Sequence, residues 1–276
     1  MVMTVVTVLL VLLGACLLLF AGIWVYALVL MKKRPPLALY EARTKEADYL
    51  SLSDVPARQT ELLVELEDSA FYTNRGVDLD EICCAVHLNF GAKKIVYGGS
   101  TITMQLAKNI YFRFTHNYLR KAAEILIALA LERKLGKERI LDFYINIIYF
   151  GNGVYGLSDA CRFYFGKPAA DLTLNQMFLL ACIPPIPTRG NPIQYPEVFE
   201  RIRNKRLNYI LREKKEPLIS QDEAAEIFAH TASCLDPELR KPDDFTRNYP
   251  QTIPLINERF GRFACPSATH LYQYQQ

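Results

Sequence analysis

Three short stretches carry side chains suited to acid–base and phosphate chemistry. The first, Glu67-Asp68-Ser69-Ala70-Phe71-Tyr72-Thr73-Asn74-Arg75-Gly76, puts two carboxylates at the end of an apolar helical run, just before a glycine turn. A carboxylate at such an edge is partly desolvated, which raises its pKa toward the value a general base needs to take a proton from a sugar hydroxyl. The second, Gly98-Gly99-Ser100-Thr101-Ile102-Thr103-Met104-Gln105-Leu106-Ala107-Lys108-Asn109, sets a flexible turn directly before a helix. Thr101, Gln105 and Lys108 fall at i, i+4 and i+7 and are expected on one wet face, with Ile102, Leu106 and Ile110 on another. A glycine turn, free N–H groups at a helix start and a lysine two turns on suit a pyrophosphate, although the turn does not follow Walker spacing. The third, Arg120-Lys121-Ala122-Ala123-Glu124, pairs Arg120 with Glu124 one helical turn apart. Arg grips phosphate oxygens in a fork, and the carboxylate can orient it or help hold a hydrated Mg²⁺. Each stretch also has a plain structural explanation: a solvated acidic helix end, a tight turn, and an ordinary helical ion pair.

Positioning these groups falls to helices. Pro56 can open a helix through Leu62, Leu63 and Leu66 to Glu67, and Thr101 to Tyr111, Leu119 to Leu135 and Lys137 to Ile148 repeat apolar residues at helical spacing. No alternation of comparable length argues for strands. Thr173 with Gln176 reads as a capping box before an apolar helix that ends ahead of Pro184-Pro185, and Ser220 with Glu223 reads as a second. Pro196 to about Lys215 forms an amphipathic, basic helix, and the tail beyond Pro237 is polar and Pro-interrupted.

No charged side chain occurs from Met1 to Met31. At about 1.5 Å per residue this run exceeds the roughly 30 Å hydrocarbon thickness, so it is long enough to span with tilt and too long for a signal-peptide core. The chain is therefore expected to divide into an anchor over 1–31, a juxtamembrane linker over 32–52 around Pro35-Pro36, a catalytic domain over 53–215, and an extension of unknown role over 216–276. Lys32-Lys33-Arg34 follow the span, and the positive-inside tendency alone would keep the domain in the cytoplasm. The chemistry argues for the opposite side, and a start codon placed too late would hide a basic cytoplasmic tail. With 32 basic and 29 acidic residues, the +3 charge is too balanced to argue for nucleic acid. Seven cysteines show no metal-ligand spacing and are expected to be mostly buried and apolar in role.

In this order, the three stretches resemble the motifs of family 51 glycosyltransferases, the polymerase domains of class A penicillin-binding proteins and their monofunctional relatives. EDxxFxxHxG is met by Glu67, Asp68, Phe71 and Gly76; GGSTITQQxxKN by Gly98 to Thr103, Gln105, Lys108 and Asn109; and RKxxE by Arg120, Lys121 and Glu124. The likeness continues through Ile140-Leu141, Tyr144, Asn146, Gly151, Gly153, Gly156, Ala160 and Tyr164-Phe165-Gly166-Lys167, covering about residues 45 to 215. Three positions depart: Asn74 stands for the first motif's His, Met104 for a Gln of the second, and His116 where Arg is frequent.

The resemblance implies a mostly α, lysozyme-like, two-lobed fold behind the transmembrane helix, with a membrane-contacting lobe. It further implies that lipid II is polymerised into β-1,4-linked glycan, with release of undecaprenyl pyrophosphate, at the extracytoplasmic face of the inner membrane. Glu67 and Glu124 are then the catalytic residues. Asp68, Phe71, Ser100, Thr101, Thr103, Gln105, Lys108, Asn109, Arg120 and Lys121 bind substrate. Mg²⁺ at the pyrophosphate, and no organic cofactor, would be expected. The partners implied are lipid II, the growing glycan strand, the membrane and other cell-wall synthesis proteins, with no nucleic acid. No SxxK, KTG or SxN set is present, so a monofunctional chain is expected. Two alternatives remain: a lysozyme-like lytic glycosidase, and a degenerate scaffold that binds lipid II without turning it over. The stretch Tyr111-Phe112-Arg113-Phe114 is read either as dipping into the membrane interface or as packing between lobes.

Overall fold

In a computed structural model of the chain, the described residues are 2–93, 98–112, 118–188, 190–212 and 218–229. Helices dominate them, as the mostly α expectation requires, and the one extended pairing is an isolated bridge between Tyr149 and Tyr155. They divide into two compact units, each made of two chain segments: residues 1–39 with 71–140, and residues 40–70 with 141–276.

The first unit holds α1 (Val2–Lys33), α4 (Leu79–Ala92), α5 (Ile102–Tyr111) and most of α6 (Tyr118–Ile147). α1 is long and apolar enough to cross a membrane, and its Leu and Val side chains stand exposed along its first three-quarters. Its foot is fastened to α5. Arg34 Nη1 donates to the Ile110 carbonyl at 2.9 Å, the Tyr111 hydroxyl donates to the Arg34 carbonyl at 2.8 Å, and the Tyr26 and Phe112 rings lie 6.4 Å apart. Tyr111 and Phe112 are buried, so packing is their role; Arg113 and Phe114 lie outside the described residues. Beyond α1, this unit also exposes apolar side chains on α4, where Leu79, Val86 and Phe90 follow helical spacing and Phe90 is 86% exposed. α4 starts at Asp78, whose carboxylate accepts from the Glu81 N–H at 3.0 Å.

Residues 32–52 are not a loose linker. They contain α2 (Pro36–Arg43), and much of the stretch from Tyr40 onward is clasped by α6 residues of the second unit. Arg43 is buried, engages both Asp48 oxygens at 2.8 Å and donates to the Asn146 carbonyl. The Asn146 amide brackets Leu50, donating to its carbonyl at 2.8 Å and accepting from its N–H at 2.9 Å. Asp142 receives the Tyr40 and Tyr49 hydroxyls and the Leu52 N–H. A polar stretch can look like a spacer in sequence because its buried acceptors lie some ninety to a hundred residues away.

The rest of the second unit comprises α3 (Ala57–Glu67), α7 (Leu157–Phe165), α8 (Leu174–Cys182), α9 (Pro196–Arg212) and α10 (Gln221–Ala229). α3 packs on α8, with Leu62, Leu63, Phe178 and Leu180 fully buried. The expected capping boxes both form: Thr173 and Gln176 exchange bonds at the start of α8, and Ser220 and Glu223 do so before α10. Glu223 also takes the Arg58 guanidinium at 2.9 and 3.0 Å, which ties α10 to α3. Within the extension over 216–276, residues 218–229 are described and include the packed helix α10, and residues beyond 229 lie outside the described ones.

Of the cysteines, Cys161 and Cys182 are buried as expected, whereas Cys16, Cys83 and Cys84 are exposed. The two helical runs read on either side of Gly136 are joined in α6 by a break at that residue, where φ is +74° and ψ 167°. Only glycine adopts that conformation without strain, and no atom lies within 4 Å of where a Cβ would stand. Gly136→Ala should therefore cost about 1–3 kcal/mol through backbone strain alone. Thermal melts of the detergent-solubilised protein check this, and an unchanged Tm would show that the break relaxes freely.

Candidate active site

Glu67 ends α3 and Asp68 caps it, so the first pair of acids stands at the helix's negative end, where the macrodipole disfavours a carboxylate. The Glu67 side chain is 3% exposed and lies 3.4 Å from Arg206 Nη1 on α9. Asp68 is also buried. Fully buried Tyr144 completes the neighbourhood. Burial pushes its phenol well above the ordinary range, the Glu67 and Asp68 charges push the same way, and Arg206 opposes them. Tyr144 therefore stays protonated at any working pH.

The rest of the first motif belongs to the other unit. Phe71 is fully buried, edge-on to Tyr72, with Lys137 Nζ 4.5 Å from its ring centre. Asn74, at the departing position, accepts from the Gly76 N–H at 2.9 Å and from Lys137 Nζ at 3.0 Å, so it closes the glycine turn with a neutral acceptor. Lys137 also pairs with Glu132 at 3.0 Å, and Glu132 accepts the Thr103 hydroxyl at 3.2 Å.

The wet face expected of the second motif begins later than its spacing implied. Thr101 is buried because its hydroxyl donates to the Gly76 carbonyl at 2.7 Å while accepting from the Met104 N–H at 3.1 Å, capping α5. Thr103 and Met104 are fully buried, so Met104 packs in the core and takes no part in polar chemistry. Gln105 and Asn109 are half-buried and Lys108 is exposed. Phe71, Thr101 and Thr103, expected to bind substrate, are thus buried inside this unit.

The second and third motifs come together. Lys121 Nζ donates to Ser100 Oγ at 2.6 Å and lies 3.5 Å from Glu124 Oε2, while Arg120 Nη1 lies 2.7 Å from Glu124 Oε1. Glu124 is 2% exposed, so its charge is held by its two neighbours. Burial lowers the Lys121 pKa from the usual lysine value; Glu124 pulls it back up, and Lys108 and Arg120 push it further down. Lys121 is thus electrostatically linked to Lys108 and Arg120 as well as to Glu124, a concentration of positive charge suited to an anion. His116 lies outside the described residues.

A protein-held Mg²⁺ does not fit this donor set. Both Glu124 oxygens face cations, and among the described residues no group of three His, Cys, Asp or Glu side chains converges as a metal site.

The sequence pattern of the transglycosylase family matches residues 36–215 of this chain. The chain belongs to the transglycosylase family. It is 36% identical to the "Putative transglycosylase" of Cupriavidus necator over 66% of this chain and 76% of that one. It is 40% identical to penicillin-binding protein 1F of Bacillus subtilis over 56% of this chain, and 34% identical to penicillin-binding protein 1A of Aquifex aeolicus over 73%. The matches cover only 22% and 30% of those two longer proteins. The transglycosylase match begins at the first residue of α2, in keeping with the packing of the segment read as a linker.

Arg206 was not singled out from sequence. The basic character of its helix was legible, but no local spacing says which of several cations turns toward a carboxylate 139 residues earlier. For the transglycosylase cation cluster, Glu124→Gln should destabilise the protein by about 1–3 kcal/mol. That is less than for a fully buried pair, because Arg120 and Lys121 keep some water. A double-mutant cycle with Arg120→Ala, read by denaturant unfolding, checks the coupling, and strictly additive losses would dissolve the pair as an energetic unit.

Proposed function

We propose that the chain is a peptidoglycan glycosyltransferase that polymerises lipid II into β-1,4-linked glycan strands and releases undecaprenyl pyrophosphate. Membership of the transglycosylase family supplies the reaction class. The observation that carries the finer reading is the cation cluster in which Lys121 is linked electrostatically to Lys108 and Arg120 while Glu124 pairs with Arg120 and Lys121. A leaving pyrophosphate develops negative charge that such a cluster neutralises, whereas a lytic glycosidase has no leaving group of that kind.

In this reaction Glu67 takes the proton from the 4-hydroxyl of an acceptor GlcNAc as that oxygen attacks C1 of the donor MurNAc. The C1–O bond to the pyrophosphate breaks, and its electron pair leaves with the phosphate oxygen. A single displacement on an α-linked donor inverts the configuration and yields the β-linked product. Lys108, Arg120 and Lys121 stabilise the departing charge, and Glu124 acts by fixing Arg120 and Lys121. Asp68, Ser100, Gln105 and Asn109 are assigned to substrate binding.

α1 anchors the enzyme in the cytoplasmic membrane with the catalytic units on the extracytoplasmic side, confining enzyme and lipid substrate to one surface and raising their effective concentration. Of the three basic residues after the span, Arg34 is held by the Ile110 carbonyl, leaving Lys32 and Lys33 as the exposed charges that argue for the opposite orientation. The growing strand is a partner by the nature of the reaction, and other cell-wall synthesis proteins are proposed as further partners.

The test uses purified full-length protein with labelled lipid-linked disaccharide-pentapeptide in detergent. Lysozyme-sensitive polymer is expected from the wild type, with a loss of about 10²–10⁴-fold in Glu67→Gln while lipid binding survives. Near-wild-type polymerisation by Glu67→Gln would remove it as the base. Intact substrate that still binds the wild type would mark a binding scaffold, and released muropeptides a lytic enzyme.

A further inference from the structure

The end of α3 and the last turn of α8 share an electrostatic problem. At both, backbone carbonyls converge without helical partners and the macrodipole is negative, and Glu67 adds a carboxylate at the first. One side chain from α9 answers both. Arg206 Nη1 donates to Glu67 Oε1 at 3.4 Å and to the Ala181 carbonyl at 3.5 Å, and its guanidinium is 19% exposed. These distances are long for hydrogen bonds, so the interaction is mainly one of charge.

Three further groups described beside Glu67 in its unit carry no positive charge. From α6 comes the Tyr144 phenol, kept neutral by burial. From α8 comes the Cys182 thiol, which burial pushes up to about 12. Asp68 adds a second carboxylate. Elsewhere on α9, Arg203 turns to Asn175 at 2.9 Å and Glu200 at 3.0 Å. Burial, a helix's negative end and a neighbouring acid all favour the protonated, inactive form of Glu67, and a cation within about 4 Å favours the ionised form.

We propose that Arg206 is a positioning residue for the general base, holding the Glu67 carboxylate ionised and aimed from α9. The proposal rests on the reading of Glu67 as the base. It assigns a task to a residue outside the three motifs. Removing the guanidinium makes Glu67 easier to protonate, so the form able to accept a proton appears only at higher pH. The acid limb of the pH–rate profile then shifts upward. A residue that merely packs would lower the rate equally at all pH values.

Polymerisation is followed at subsaturating lipid substrate from about pH 5 to 9 for full-length wild type and the Arg206→Lys, Arg206→Gln and Arg206→Met variants. In the Gln and Met variants the acid limb is expected to rise by about one pH unit, and in the Lys variant to stay near wild type. An unmoved limb in folded Gln and Met variants overturns the proposal, as does failure of both to fold, which would make Arg206 a structural residue. Turnover by Glu67→Gln would remove the base itself. A dead Glu67→Gln beside unmoved limbs removes only the role of Arg206.

Discussion

A carboxylate taken almost wholly out of water survives as a charge only with its compensating cations beside it, and much of the first unit is arranged around meeting that condition for Glu124. Arg120 and Lys121 sit one turn earlier on the same helix, so α6 supplies both partners locally. Lys121 also donates a hydrogen bond to Ser100, which pins the glycine turn before α5 to α6. The turn is closely fitted on its other side as well: a Cβ on Gly99 would stand 2.4 Å from the Glu81 carbonyl of α4. One buried charge thus fixes two cations, a turn and, through that turn, the start of α5, which carries Lys108. The cations hold their places for the sake of the fold, and the same fixed places suit them to receive an anion without reorganising.

A similar economy governs the foot of the membrane helix. Arg34 and Tyr111 cross-link α1 to the end of α5 through backbone carbonyls, so the anchor enters the catalytic chain as a packed element. Immediately afterwards Arg43, Leu50 and Leu52 are gathered by Asn146 and Asp142. Between the end of the span and α3 there is little chain left over to act as a tether.

What sequence reveals here is what local periodicity and short-range chemistry control. The helices around Leu62 and Leu106, the boxes at Thr173 and Ser220, and the interruption at Gly136 all follow from residues within a turn of one another. The three motifs were equally legible as clusters. Their division of labour was not: Thr101 shares a helical stripe with Lys108, yet its hydroxyl is engaged by Gly76, 25 residues away, and the stripe is dry at that end. Arg206, the packing of the 40–52 stretch and the exposure of Cys83 and Cys84 depend on contacts between distant segments. No window along the chain contains them. Among the departures from the motifs, Met104 becomes intelligible as core packing and Asn74 as the acceptor closing its turn.

The two units interleave along the chain, which passes from one to the other after residues 39, 70 and 140. A cut after residue 70 separates the two segments of both units, whereas a cut after 39 divides only the first unit and one after 140 only the second. The carboxylate of Glu67 and the cations of the second and third motifs are therefore inherited together. A gene fragment that separates Glu67 from those cations cuts through both units.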